Sequence, residues 1–374
     1  AIRAVSVDHG LRAEARTECA FVNAFCAGGG FAHEIVVWVG WDGSGNLQAE
    51  ARNARYGLIA EWAGQAGVDW VALGHTRDDQ AETVMMRLAR ASGVDGLAGM
   101  PHRFERDGLV MVRPLLRLGR EDLRVYLRAR GIEWCEDPSN EDDSFERVRA
   151  RKVLGAVSDL GVDAETLVAV ADNMASVKSA LDHYALQEVE RGLAVVEAGD
   201  VILPERMSPT YPVPHEILRR LFNAAILWVA GGDYPPRASA LVEMEKAMAG
   251  ADKHTIGGCL VTRIAGDKPY SARLRVSREF NAVRSLAGAT DAVWDGRWVL
   301  DGPHAPDLQV RALGAAVKDC PDWRETGVPR DTLMASPAVW RDETLIAAPV
   351  AGLENGWTAS ATRRGNFAEF LLSR

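Results

Sequence analysis

The chain has 374 residues, 47% of them hydrophobic and 25% charged, with a formal net charge of −9, which suits a globular protein of two or three domains. No apolar run reaches the roughly 18 residues of a membrane span and no signal peptide is visible. Five scattered cysteines (Cys19, Cys26, Cys135, Cys259, Cys320) with no C-x-x-C pair argue against a disulfide framework or a thiolate metal site, and for a reducing, cytoplasmic setting.

In chain order, Ala1–Val7 has a strand pattern and runs into Asp8-His-Gly-Leu-Arg12. Glu14–Cys26 reads as a helix, Ala32–Val39 as the next strand and Leu47–Gln65 as a second helix. Arg52 and Arg55 lie three apart on one face of that helix. Such a pair is ordinarily a solvated surface. Strand–helix alternation of this kind implies right-handed βαβ units around a parallel sheet.

Val68–Leu73 is a short apolar run, the pattern of a strand buried on both faces. Gly74 ends it. Thr76 is placed to cap a helix, with Asp79 three residues on as the capping-box partner. On that helix Ala81, Val84, Met85 and Leu88 follow the i, i+3, i+4, i+7 spacing of a buried stripe. Asp79, Glu82 and Met86 fall on an adjacent face, just after His75. A His and at least two carboxylates are thereby delivered to the C-terminal edge of a strand, where open α/β sheets bind ligands. Asp78, Asp79 and Glu82 could also sit there simply to complement the helix dipole.

Arg120–Gly131 has the look of a helix. Glu136–Asn140 reads as a turn in which Asp137, Ser139 and Asn140 supply turn and cap chemistry. In Phe145-Glu-Arg-Val-Arg-Ala-Arg151, Arg147 and Arg151 are four apart on one helical face. Helices are expected over Asp163–Val189, His215–Val229 and Pro236–Met248. From about Lys253 short β runs take over: His254–Val261, Ala272–Ser277, Trp294–Trp298 and Val339–Pro349. Asp295-Gly296 between two tryptophans is a hairpin signal. Core packing is the expected use of most of Trp294, Trp298, Trp323, Trp340 and Trp357, with base stacking the other possibility.

The string GHTRDDQAET, followed by RLARASGVDGL, closely resembles the core motif of the tRNA(Ile)-lysidine synthases, members of the N-type ATP pyrophosphatase group. Asp8-His-Gly-Leu-Arg12 resembles the end of that family's second strand. Ala51-Arg52-Asn53-Ala54-Arg55-Tyr56 matches its A-R-x-x-R-Y signature, and T-I-G-G-C-L resembles its C-terminal region in some bacteria. Two departures are Ala91, where glycine is usual, and Val148, where the pattern has asparagine. The family's glycine-rich S-G-G-x-D-S loop is absent; Gly28–Gly30 and Gly43-Ser-Gly45 do not replace it. The expectation from this absence is a chain that lacks its true N-terminus and is inactive as written, the rival being a protein that has lost the loop.

The resemblance implies a parallel-sheet, adenine nucleotide α-hydrolase-like catalytic domain over residues 1–155. A helical linking domain over 156–250 and a smaller α+β, tRNA-binding domain over 251–374 are expected to follow. It implies ATP and Mg²⁺ as cofactors, and a tRNA(Ile) with a CAU anticodon and free L-lysine as partners. No membrane is involved, and the oligomeric state, a homodimer included, stays open. By the same resemblance Arg55, Arg52, Gly74, His75 and Arg147 meet ATP, Asp79 meets metal and lysine, Glu82 meets lysine, and Arg151 meets tRNA phosphate. His75 assists at the phosphate or carries a proton. A sibling thiolase would want a cysteine pair and an amidotransferase a glutaminase domain, and neither is seen. A catalytically inactive tRNA-binding relative is the alternative from a different class.

Overall fold

A strand, β1 (Arg3–Asp8), opens the chain and is followed by helix α1 (Ala13–Gly28), β2 (Ala32–Val37) and α2 (Leu47–Ala66). A computed structural model of the chain describes residues 2–10, 13–39, 47–106, 108–136, 145–205, 213–232, 235–266, 271–361 and 366–372. Arg12, Gly43-Ser-Gly45, Asp137, Ser139 and Asn140 lie outside them. The chain divides into two compact units, Ala1–Lys178 and Ser179–Arg374. No helix among the described residues is long and apolar enough to cross a membrane.

The first unit continues with β3 (Trp70–Ala72), α3 (Arg77–Ala89), the short α4 (Val94–Leu97), β4 (Arg103–Arg106), β5 (Leu109–Val112), α5 (Arg120–Ala129) and α6 (Glu146–Val157). Helix α7 (Ala164–Glu190) begins in it. β1 and β2 pair in parallel, as do β3 and β5, and β4 closes antiparallel on β5. This is the α/β layout expected for the first half.

Helix α2 supplies the core that both sheets share. Tyr56, Ile59, Trp62 and Ala63 pack with Val5 and Val7 of β1, Val36 of β2, Val71 of β3, and Leu109 and Met111 of β5. Only that face of β3 is covered. Val71 points into the core, whereas Trp70 on the opposite face is 61% exposed, so the strand is not buried on both faces as its apolar sequence suggests. The stripe on α3 is likewise narrower than its spacing implies. Ala81 and Val84 are buried against Leu167 and Ala171 of α7, with Met85 at the margin, but Leu88 in the last turn is exposed.

The second unit is α+β. β6 (Val195–Glu197), β7 (Asp200–Pro204), α8 (His215–Ala230) and α9 (Ala238–Met248) precede β8 (Lys253–Ile256), β9 (Cys259–Ile264) and β10 (Arg273–Arg278). The five strands form one antiparallel sheet in the order β6-β7-β10-β9-β8. Val201, Leu203, Leu274 and Val276 from this sheet share a core with Leu221, Ala225 and Val229 of α8. The expected boundary at residue 250 thus falls between strands of a single sheet, and residues 156–250 are not wholly helical. The TIGGCL stretch is a hairpin rather than a single run. Gly257 and Gly258 both have positive φ, 58° and 73°, which a two-residue turn between twisted strands requires.

Next come α10 (Phe280–Val283), β11 (Ala287–Ala289), β12 (Val299–Asp301), β13 (Gln309–Ala312), α11 (Arg330–Met334), β14 (Pro337–Arg341), β15 (Thr344–Ala347), β16 (Thr358–Ser360) and α12 (Phe367–Leu372). The Asp295-Gly296 turn forms as expected: Trp294 and Trp298 exchange backbone hydrogen bonds of 2.9 Å. Trp294, Trp298 and Trp357 are core residues, and the half-buried Trp323 and Trp340 pack against a neighbouring cluster, so core packing accounts for most of the five.

Candidate active site at the N-terminus of helix α3

The capping box read from Thr76 and Asp79 organises the site. The Thr76 backbone N–H and hydroxyl both donate to Asp79 Oδ2, at 2.8 and 2.7 Å, and the Asp79 N–H returns to Thr76 Oγ1 at 3.4 Å. These bonds hold Oδ2 and leave Oδ1 facing two guanidiniums, Arg147 at 3.5 Å and Arg120 at 3.6 Å. Burial alone would raise the Asp79 pKa. The Thr76 bonds and the Arg120 and Arg147 charges outweigh it and hold the carboxyl below its ordinary value, so Asp79 is ionised at neutral pH.

Glu82, one turn deeper, is 2% exposed. Its Oε1 accepts from Arg151 Nε at 2.9 Å and lies 3.7 Å from Arg120. Its Oε2 is buried with no hydrogen-bond partner. Here burial, with the nearby Asp79 charge, prevails over the arginines and pushes the pKa up. The two carboxylates are therefore tuned in opposite directions on one helix, a pattern typical of functional sites.

Asp78 has a different use. It accepts from the backbone N–H of Arg120 at 2.6 Å, while Arg77 N–H donates to Leu118 O at 2.9 Å. Asp78 thus caps a second helix, α5, and ties its first turn to that of α3. This tie is what brings Arg120 to Asp79 and Glu82. Gln80 secures the other side, exchanging two hydrogen bonds (3.0 and 2.7 Å) with the backbone of Met100.

Around this centre the structure gathers the arginines singled out by sequence. Arg147, from α6, pairs with Asp79, and its charge is felt by His75 and Arg55. Arg52 donates to the Tyr56 hydroxyl at 3.2 Å, and Arg55 contacts His9 Nε2 at 2.9–3.1 Å. These are contacts to neutral groups. Burial, together with the Arg52 and Arg147 charges, pulls the Arg55 pKa down; crowded cations such as Arg52 and Arg55, with no carboxylate paired to either among the described residues, make a surface that favours an anion. Arg151, expected at tRNA phosphate, is engaged with Glu82 inside the cluster. Gly74 ends β3 with open space where a Cβ would point. Among the described residues no group of three or more His, Cys, Asp or Glu side chains is assembled for a metal.

Sequence reasoning missed Arg113 and Arg120. Arg113 directly follows the apolar strand β5, is 4% exposed, and donates to Pro101 O at 2.7 Å and His75 Nδ1 at 3.3 Å. A cation abutting a buried strand was the available signal. Arg120 gave none, since it reaches the site only through the contact between two helix ends. His75 itself is held well below the ordinary imidazole range, at about 4, by burial first and by Arg113 second. It is neutral at pH 7.

Residues 1–158 match the family model described as a PP-loop domain. A tRNA(Ile)-lysidine synthase of Ruegeria pomeroyi is 49% identical over 355 residues, spanning 95% of this chain and 83% of that protein. Others, from Brucella anthropi (32% identical, 92% of this chain and 77% of that one) and Wolbachia pipientis (28%, 92% and 81%), match over a similar span. Among solved structures, the U34-tRNA thiolase NcsA of Methanococcus maripaludis has 16% identity and a TM-score of 0.40, over 46% of this chain and 61% of that one, a likeness too slight to bear on the chemistry. Near-half identity extends far beyond the motif at α3 and through the second unit, and on that ground the chain belongs to the tRNA(Ile)-lysidine synthase family.

Proposed function

We propose that this chain is a tRNA(Ile)-lysidine synthase: it adenylates the C2 oxygen of the wobble cytidine in a CAU anticodon with ATP, releasing pyrophosphate, and free lysine then displaces AMP. The observation that carries the reading is the carboxylate pair on α3, with Glu82 Oε2 buried and unpartnered beside an arginine cluster. The site must take a polyanion and an amino acid whose side chain is a cation, and it holds groups for both. The 49% identity to a synthase over 95% of the chain supports the same reading, and the inactive tRNA-binding relative is not favoured.

The residues divide by charge. Arg52 and Arg55 on α2 and Arg147 on α6 are assigned to ATP phosphates, where preorganised cations stabilise charge developing on the transferred group. His75, next to Gly74 at the end of β3, assists at the same phosphates. Glu82 is assigned to an amino group of lysine: an ammonium donating to Oε2 satisfies an oxygen that otherwise stays buried without a partner. Asp79 is shared between the two steps. Arg151 is assigned to tRNA phosphate, and the second unit to tRNA binding.

Mg²⁺ neutralises charge on a triphosphate. It is commonly held by one or two carboxylates plus substrate oxygens and water, and Asp79 Oδ1, the oxygen that the capping bonds leave over, fits that demand. Its two arginine neighbours would turn to phosphate when the ion enters.

The test separates the steps. With ATP and tRNA(Ile) but no lysine, the enzyme completed with the family's S-G-G-x-D-S loop should accumulate adenylated tRNA and release pyrophosphate; added lysine should convert it to lysidine and AMP. ATP cleavage indifferent to the tRNA, or lysine incorporated with no adenylated intermediate, would overturn the proposal.

A further inference from the structure

Arg113 is a cation at 4% exposure, and its hydrogen bonds go to neutral groups. Its Nη1 donates to Pro101 O at 2.7 Å, its Nε to His75 Nδ1 at 3.3 Å, and its guanidinium carbon stands 4.1 Å from the centre of the Phe104 ring. Arg113's own backbone N–H donates to His102 O at 2.8 Å, so strand end, side chain and acceptors are fixed together. Burying a charge in this way is costly, and the arrangement aims a permanent donor at one ring nitrogen of His75.

A guanidinium has only donors and stays charged. The Nδ1 atom facing it must therefore present its lone pair, since an Nδ1–H would oppose an N–H. In a neutral ring the hydrogen then resides on Nε2. From this geometry we infer that Arg113 is a positioning residue, which locks His75 as the neutral Nε2–H tautomer so that the ring offers a hydrogen bond to the nucleotide and does not shuttle a proton. The inference rests on the assignment of His75 to the ATP phosphates. The groups facing the ring agree with it: Arg113, Arg147 and Arg52 disfavour a second proton and Asp79 alone favours one, while burial holds the imidazole at about 4.

Nitrogen-15 NMR of the histidine rings tests the tautomer without any assay of function. The His75 ring should show an Nε2–H, Nδ1-acceptor signature, unchanged from pH 5.5 to 8. In Arg113→Met it should become a tautomer mixture. An Nδ1–H signature in the unmutated protein would overturn the inference, whatever the variant does. The functional arm is a double-mutant cycle. His75→Gln keeps an N–H near the Nε2 position but has no tautomer to fix, and its own lowered adenylation rate is the baseline for the second arm of the cycle. Arg113→Met alone should lower adenylation about ten- to a hundredfold, the scale of losing a charge-assisted bond. In the His75→Gln background the same change should add less than about threefold, because no tautomer remains to be fixed. An equal loss in both backgrounds would mean that Arg113 acts only on the fold. If the NMR result holds while His75→Gln leaves ATP use unaltered in every respect, the tautomer lock stands and the phosphate assignment of His75 fails.

Discussion

Replacing Glu82 by glutamine removes one negative charge from a side chain that is 2% exposed and keeps its shape. The amide oxygen can still accept from Arg151, which now donates at 2.9 Å, so the helix pairing of α3 and α6 should survive. What is lost is the charge that an incoming ammonium would meet at the second oxygen, now buried without a partner; the amide puts an N–H donor there instead. A charge-assisted hydrogen bond is worth about 1.5–3 kcal/mol, or roughly ten- to a hundredfold in an equilibrium constant. The upper half of that range is expected because the side chain is buried and the replacement is repulsive. Glu82→Gln should therefore raise the KM for lysine about thirty- to a hundredfold, while adenylation of tRNA in the absence of lysine stays within about threefold of the parent. Adenylated tRNA is measured by transfer of labelled AMP and lysine incorporation in a separate assay. Abolished adenylation with lysine affinity intact would refute the assignment, since Glu82 would then serve the nucleotide.

Asp79→Asn should impair both steps, because Oδ1 faces Arg120 and Arg147 while Oδ2 holds the Thr76 cap; loss of only one step in the same two assays would contradict this. Arg55→Ala should weaken ATP use by about ten- to a hundredfold and leave tRNA affinity nearly unchanged, with tRNA binding and the KM for ATP as the readouts. His75 has a folded-state pKa of about 4, below its ordinary 6.5, so the unfolded chain binds the extra proton between those values. Stability should accordingly rise as pH increases from about 4 to 6.5, and His75→Gln should flatten that part of the urea-unfolding profile.

Local chemistry was legible in the sequence wherever a feature closes within a few residues. The Thr76–Asp79 capping box joins residues three apart, the Asp295-Gly296 turn needs positive φ at adjacent positions, and the helices α1, α2, α3, α7 and α8 follow from unbroken periodicity and formed close to where it placed them. The A-R-x-x-R-Y, GHTRDDQAET and FERVRAR stretches each place charged residues on a helix face, but it was their resemblance to the family's motifs that singled out Asp79, Glu82, Arg55 and Arg147 as candidates. Periodicity says which residues share a face but not what covers it. That Trp70 and Leu88 are exposed depends on where the next layer of the fold ends. The site itself was assembled by contacts of long sequence separation. Asp78 caps a helix 42 residues on and so brings Arg120 in, and α6 lays Arg147 and Arg151 on carboxylates 68 and 69 residues earlier. The same folding decided the opposite pKa shifts of Asp79 and Glu82, because burial and charge at a point in space are sums over every neighbour, and the chain order of those neighbours does not reveal them.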